Sequence, residues 1–152
     1  MKNALGVIVI VTATVAVLLV GAAIAAAKPA ARSATVTTAR TGLGQIVADA
    51  QGRTLYLFEK DTTARSACSG TCAVYWPPLL TSGQTVASKG AKQSLLGSIK
   101  RADGTRQVTY AGHPLYLFSG DSMRGQTNGE GLNDFGASWY ALKASGTKIA
   151  RA

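Results

Sequence analysis

Hydrophobic positions fall into three regimes along the chain. Residues 4 to 27 form an uncharged, mostly apolar run, preceded by Met1-Lys2-Asn3 and followed by Lys28-Pro29. A core helix keeps one polar face, and this run has none. Residues 30 to 41 carry Ala, Ser, Thr and Arg without apolar periodicity and read as a linker. From Gly42 onward the apolar runs become short and are bounded by Gly, Asp and Pro, the pattern of strands joined by turns.

Within that last region one phrase occurs twice. Gly52-Arg53-Thr54-Leu55-Tyr56-Leu57-Phe58-Glu59-Lys60-Asp61 and Gly112-His113-Pro114-Leu115-Tyr116-Leu117-Phe118-Ser119-Gly120-Asp121 are related by a constant shift of 60 residues. A unit this small does not bury its own apolar surface and packs against its copy. Leu-Tyr-Leu-Phe is apolar on both faces, as expected of a strand buried on both sides. Tyr56, Phe58 and Asp61 of one copy correspond to Tyr116, Phe118 and Asp121 of the other. Each Asp falls where its strand ends, in position to accept hydrogen bonds from the amides of the following turn. Residues 43–49 and 96–101 are predicted partner strands. Asp103-Gly104 is a hairpin signal, and residues 106–110 lead through Ala111-Gly112 into the second phrase, giving a meander of three strands. The predicted fold is mainly β, with antiparallel strands in two internal repeats related by a pseudo-two-fold, behind an N-terminal hydrophobic signal or anchor helix. The predicted organisation is a signal peptide or membrane anchor over 1–27, a linker over 28–41 and a two-repeat β domain over 42–152.

Compartment follows from the N-terminal run. A short cationic start, an apolar stretch and the small residues Ala25-Ala26-Ala27 are the parts of a secretory signal. The run is also near the ~20 residues that span a bilayer as a helix. Both outcomes export the remainder, either to the outer face of the cytoplasmic membrane or into the medium. The formal net charge is +9. For an exported chain the accessible polyanions are anionic lipid heads and cell-wall polymers. The cations are scattered, apart from the pair Lys100-Arg101, so no nucleic-acid footprint is expected.

The candidate chemistry is sparse. Cys68 and Cys72 are the two cysteines and, in an exported chain, are expected to pair as a disulfide. Its role is read as local, pinning the turn before Trp76-Pro77-Pro78, with a redox-active pair as the alternative. His113 is the single histidine. One imidazole does not make a blue-copper or structural zinc site, and no cofactor is expected. His113 and Met123 remain the weak candidates for metal. A Ser-His-Asp arrangement would have to use His113, and no Gly-x-Ser-x-Gly elbow is present. Glu59, Asp61, Asp121, Glu130 and Asp134 are the carboxylates from which a hydrolase pair would be drawn. The expectation is that the chain is not an enzyme.

The two phrases, the segment Cys68-x-x-x-Cys72-Ala73-x-x-Trp76-Pro77-Pro78-Leu79, the strand Asp103-Gly104-x-x-Gln107-Val108-Thr109-Tyr110 and the closing Phe135-Gly136-x-x-Trp139-Tyr140 together resemble a bacterial secreted-repeat family of predicted lipoproteins. That family carries a Tyr-x-aromatic-x-x-Asp motif and has no assigned biochemical role. The resemblance spans residues 42 to 146 and implies export to the cell envelope. No cysteine precedes Cys68, so the lipid anchor of many such proteins is not expected here. The copies diverge after their Asp, and recognition is expected on these divergent loops. Tyr75, Trp76, Pro77, Pro78, Asn128, Phe135 and Trp139 are the candidate binding surface. The leading expectation is an exported, non-catalytic binding or structural module whose partner is a cell-envelope component, with membrane contact through residues 4–27. The alternatives are a redox or metal-handling protein using Cys68, Cys72 and His113, and a cell-wall hydrolase.

Overall fold

The computed structural model describes residues 31–149. The predicted signal or anchor over 1–27 lies outside these residues. Among the described residues no helix is long and apolar enough to cross a membrane.

Among the described residues, nine strands and one short α-helix follow in chain order, with a single 3-10 turn at Gln93–Leu95. They are β1 (Ala34–Thr41), β2 (Gly44–Asp49), β3 (Tyr56–Phe58), α1 (Thr71–Tyr75), β4 (Thr85–Ala87), β5 (Leu96–Lys100), β6 (Arg106–Tyr110), β7 (His113–Pro114), β8 (Asn133–Asp134) and β9 (Ala137–Ala141). The protein is mainly β, as the sequence pattern predicts. Three sheets of three strands run β2-β1-β4, β3-β9-β8 and β5-β6-β7. Pairing is antiparallel throughout these sheets except where β1 meets β4 in parallel.

The linker expected over 28–41 requires correction, because residues 34–41 are strand β1. Its β-branched Thr35, Val36, Thr37, Thr38 and Thr41 suit a pleated surface. Only Ala34 and Val36 reach the apolar core, too few to produce an alternating pattern in the sequence. Pairing on both sides recruits the segment, with β2 from Val36 to Thr41 and with β4 from Ala34 to Val36. In consequence β2 is not the counterpart of β5. The amide of Leu55 bonds the carbonyl of Val47 in β2, as the amide of Leu115 bonds Val108 in β6. β2 therefore matches β6, and β1 matches β5. The predicted meander of the second copy is present as β5-β6-β7.

Isolated bridges join the sheets across the repeats. Lys143, just after β9 of the second copy, bridges Ile46 in β2 of the first. Leu80, at the end of the first copy's divergent segment, bridges Gln107 in β6 of the second. Each copy thus sends its last segment onto the other copy's hairpin. Two apolar clusters make up the core. One holds the aromatics Tyr56, Phe58, Trp76, Tyr116 and Trp139 with Cys68 and Cys72. The other is mostly aliphatic, with Val36, Val47, Leu55, Leu57, Val108, Leu115 and Leu142.

Candidate functional site

The repeated motif is used to clasp the two copies together. Tyr56 and Tyr116 exchange backbone hydrogen bonds in both directions, at 2.8 and 3.0 Å. Their side chains then reach across the contact. The Tyr56 phenol donates to Asp121 Oδ2 and the Tyr116 phenol to Asp61 Oδ2, each at 2.6 Å. The second oxygen of each carboxylate accepts a backbone amide of its own turn, Asp61 from Ala67 at 2.7 Å and Asp121 from Asn128 at 2.9 Å. A single Asp therefore fixes the loop that follows it and the tyrosine of the opposite copy. Burial first, and then the neighbouring carboxylate, raise both phenols well above their ordinary range. They are held as proton donors. Burial also raises Asp61, against the Ala67 amide, the Tyr116 phenol and the Arg101 charge, which lower it.

Below these pairs lies a stack of four rings. Phe58 lies on Trp139 at 4.1 Å, Trp139 on Trp76 at 3.9 Å and Trp76 against Phe118 at 4.3 Å between centroids. Rings from the two copies alternate along it. Tyr56 meets Trp76 edge-on at 5.4 Å, and Tyr116 meets Trp139 edge-on at 5.1 Å. The edge-to-face contacts present the positive ring edge to a π face, the favoured geometry for such pairs. Gly129 is required here, since a Cβ on it would stand 2.8 Å from the Trp76 ring.

Trp76 and Trp139 are fully buried, so their assignment to a binding surface is corrected. Each carries too much apolar area to remain outside while a second indole is available to cover it. Pro77 and Pro78 are half-buried and act as strand, Pro77 accepting the amide of Leu117 and Pro78 bridging Tyr116. Asn128 is exposed, with its side-chain amide donating to the Gly120 carbonyl. Tyr75 and Phe135 remain exposed, at 53% and 41%, and their rings are 6.1 Å apart. Val74 beside them is 69% exposed. The two divergent loops therefore meet in one small apolar patch. Phe135 has φ 59, a left-handed conformation that a bulky side chain seldom adopts.

Cys68 and Cys72 form a disulfide whose Cα atoms are 5.3 Å apart. Both are buried against the ring stack. The bond closes the loop entering α1, and the amide of Trp76 bonds the Cys72 carbonyl at the helix end. The pinned turn thus delivers Trp76 to the interior. Arg101, buried in the second hairpin, holds the same loop by donating to the Cys68 carbonyl at 2.7 Å, to Ser66 Oγ at 2.8 Å and to Gln107 Oε1 at 2.6 Å. Ser66 Oγ in turn lies 2.7 Å from the Tyr116 phenol. Nothing in the sequence singles out Ser66 or Arg101 for this network.

His113 lines a cavity of about 290 Å³ with Glu59, Asp61 and Lys148, and not with Met123, which stands 64% exposed on its loop. Partial burial lowers the His113 imidazole. Glu59 is ion-paired with Lys148, whose ammonium also lies over the Tyr140 ring. Among the described residues no three His, Cys, Asp or Glu side chains converge as metal ligands.

The clasped motif, occurring once in each of two interlocked halves, defines a two-repeat β protein. A family described as a secreted repeat of unknown function matches over residues 37–80 and again over 97–143. The chain belongs to this secreted-repeat family. The matches begin inside β1 and at β5, so β1 is part of the repeat and not a tether in front of it. Comparisons with curated proteins and with solved structures returned no match.

Proposed function

We propose that the chain is an exported cell-envelope module that binds a partner and carries out no chemistry of its own, with its two repeats related by a pseudo-two-fold. Residues 1–27 act as its signal peptide or membrane anchor and place residues 31–149 on the outer side of the cytoplasmic membrane. The observation that carries this reading is the division of labour among the aromatics. The motif tyrosines and both tryptophans are consumed inside the clasp, while Tyr75 and Phe135 are left outside and brought together from the two segments that differ between the copies. Solvent-exposed rings in contact on loops held by a rigid scaffold are suited to recognition. The family's description as secreted supports the compartment. The Tyr–Asp pairs and the interleaved rings support the symmetry.

The test is co-sedimentation of the full chain with purified cell-wall sacculi and, separately, with membranes. The expected result is binding that is lost in a Tyr75→Ala, Phe135→Ala variant with an unchanged melting temperature. Equal sedimentation by both proteins would remove this patch from the function.

One observation favours the hydrolase as a second reading, namely that Glu59, Asp61 and His113 share a cavity. Against it, both oxygens of Asp61 are engaged by Tyr116 and Ala67, and Glu59 is held by Lys148. A wall hydrolase would release soluble fragments from sacculi, and Glu59→Gln would abolish the release.

A further inference from the structure

A second cleft lies away from the aromatic patch, between the β1–β2 hairpin and the two turns that fold over it. Its volume is about 360 Å³. Three cations line it, each from a different segment: Arg40 near the end of β1, Lys89 in the turn after β4, and Arg124 in the loop after Asp121. No carboxylate lines it. None of the three cations is in an ion pair among the described residues, where the pairs formed are Arg53–Asp49, Arg101–Asp103 and Lys148–Glu59. Asp49, the carboxylate next to Ala50 of the cleft wall, is already saturated. It accepts the amides of Gln51 and Arg53 on one oxygen and the Arg53 guanidinium on the other.

The three cations are exposed, and the fold fixes the backbone that carries two of them. The Lys89 carbonyl accepts the Thr38 hydroxyl, and Lys89 itself has φ 44, a backbone state that lysine adopts only when its surroundings impose it. The amide of Gly125 bonds the Gly52 carbonyl at 3.0 Å and draws the Arg124 loop onto the hairpin. Gly52 stands at φ 81, which favours glycine in this turn, and the Arg124 side chain lies over it. Thr37 also lines the cleft, with its hydroxyl buried away from the opening. Three unpaired cations with no counter-charge in one concave site make a region of focused positive potential.

We propose that this cleft is a binding site for a phosphodiester anion, held by Arg40, Lys89 and Arg124. The source of the phosphodiester rests on the exported reading, and is either an anionic lipid head or a phosphodiester-linked wall polymer. The site itself is independent of the Tyr75–Phe135 patch, so either can fail without the other.

The experiment uses the full chain in zwitterionic detergent at about 150 mM salt, where long-range attraction is screened. Glycerophosphoglycerol, a soluble phosphodiester common to both sources, is titrated by calorimetry. The expected result is saturable binding, weakened roughly tenfold or more in Arg40→Gln, Arg124→Gln, as loss of charge-assisted hydrogen bonds requires. The control Arg65→Gln, Lys100→Gln removes the same charge elsewhere and is expected to bind as wild type. Equal weakening in both pairs would show a net-charge effect and overturn the site, as would no binding by wild type. Vesicles of phosphatidylglycerol and soluble poly(glycerol phosphate), compared through the same Arg40/Arg124 variant, then separate the two sources.

Discussion

The two repeats place equivalent side chains in equivalent roles, yet they differ in how the segment after the motif pairs. In the second copy Trp139-Tyr140-Ala141 belongs to β9 and forms a continuous ladder with β3, Trp139 opposite Phe58 and Ala141 opposite Tyr56. In the first copy the corresponding stretch is Trp76-Pro77-Pro78, which makes only an isolated bridge from Pro78 to Tyr116. Proline has no N–H to donate, so Pro77 and Pro78 return no bond to the second copy's phrase, and the return bond comes from the Leu79 amide, which donates to the Leu115 carbonyl at 2.9 Å. The doubly buried strand predicted for both phrases is therefore present in the first copy as β3, whereas in the second copy the strand β7 ends at Pro114 and Leu115–Phe118 pairs only through isolated contacts. A difference also appears at the indoles. Trp139 Nε1 donates to the Asp134 carbonyl at 3.1 Å, whereas Trp76 Nε1 is buried with no acceptor among the described residues. Five residues before Trp76 stands Thr71, the first residue of α1, and a helix directs its carbonyls along its own axis. Duplication preserved the packed rings and left the polar details free to diverge.

Breaking the stack should give the largest effects. Trp76→Ala and Trp139→Ala are each expected to cost about 3–5 kcal/mol. The Trp139 change should be larger by about 1 kcal/mol, because it also removes a hydrogen bond. Urea melts of the two variants check the order, and equal values would mean that the indole bond contributes nothing. At the ends of the stack, Phe58 is buried whereas Phe118 is half-buried. Phe58→Ala should therefore destabilise clearly more than Phe118→Ala.

The Tyr–Asp pairs come next. Tyr56→Phe and Tyr116→Phe each leave a carboxylate oxygen without its phenol and should cost about 1–3 kcal/mol. Titration sharpens the comparison. Burial raises Asp61 above its ordinary 3.8, so the folded state binds that proton more tightly than the unfolded state. Its contribution to stability is then greatest below 3.8 and falls as pH rises through the raised value. Relative to Asp61→Asn, the wild type should gain melting temperature as pH falls through that window. A constant difference between the two proteins would contradict the raised value. Both phenols are raised above their ordinary 10.0, so the opposite end of the scale is affected too. Stability from Tyr56 and Tyr116 is present below pH 10.0 and lost above it, and the double Phe variant should lack that alkaline loss.

Smaller effects are expected at the features that distinguish the copies. The disulfide closes a short loop, and chain entropy assigns it about 2 kcal/mol. Cys68→Ala, Cys72→Ala should lower the melting temperature without unfolding the domain, and global unfolding on circular dichroism would give the loop a larger role. At the other divergent loop, Phe135→Gly relieves the left-handed backbone and should leave stability within about 1 kcal/mol of wild type, with any change upward.

The sequence by itself determined the repeat, its register, the mainly β class and the pairing of the two cysteines. All of these are carried by local patterns: the repeated Leu-Tyr-Leu-Phe, the Gly-led turns and an even cysteine count. It also placed an Asp at each strand end, where Asp61 and Asp121 do cap their turns. Only the tertiary structure decided which copy each side chain serves. Tyr56 is five residues from Asp61, yet its phenol bonds Asp121, 65 residues away. The two pairings look identical in sequence, and the reciprocal backbone bonds of Tyr56 and Tyr116 select between them. The same is true of Trp76 and Trp139, which read as surface residues one at a time and become core because each indole is the other's cover. Strand β1 and the Arg40–Lys89–Arg124 cleft were hidden for a related reason. Pairing partners and convergent charges are properties of segments brought together, and a one-dimensional pattern of apolar and polar positions does not contain them.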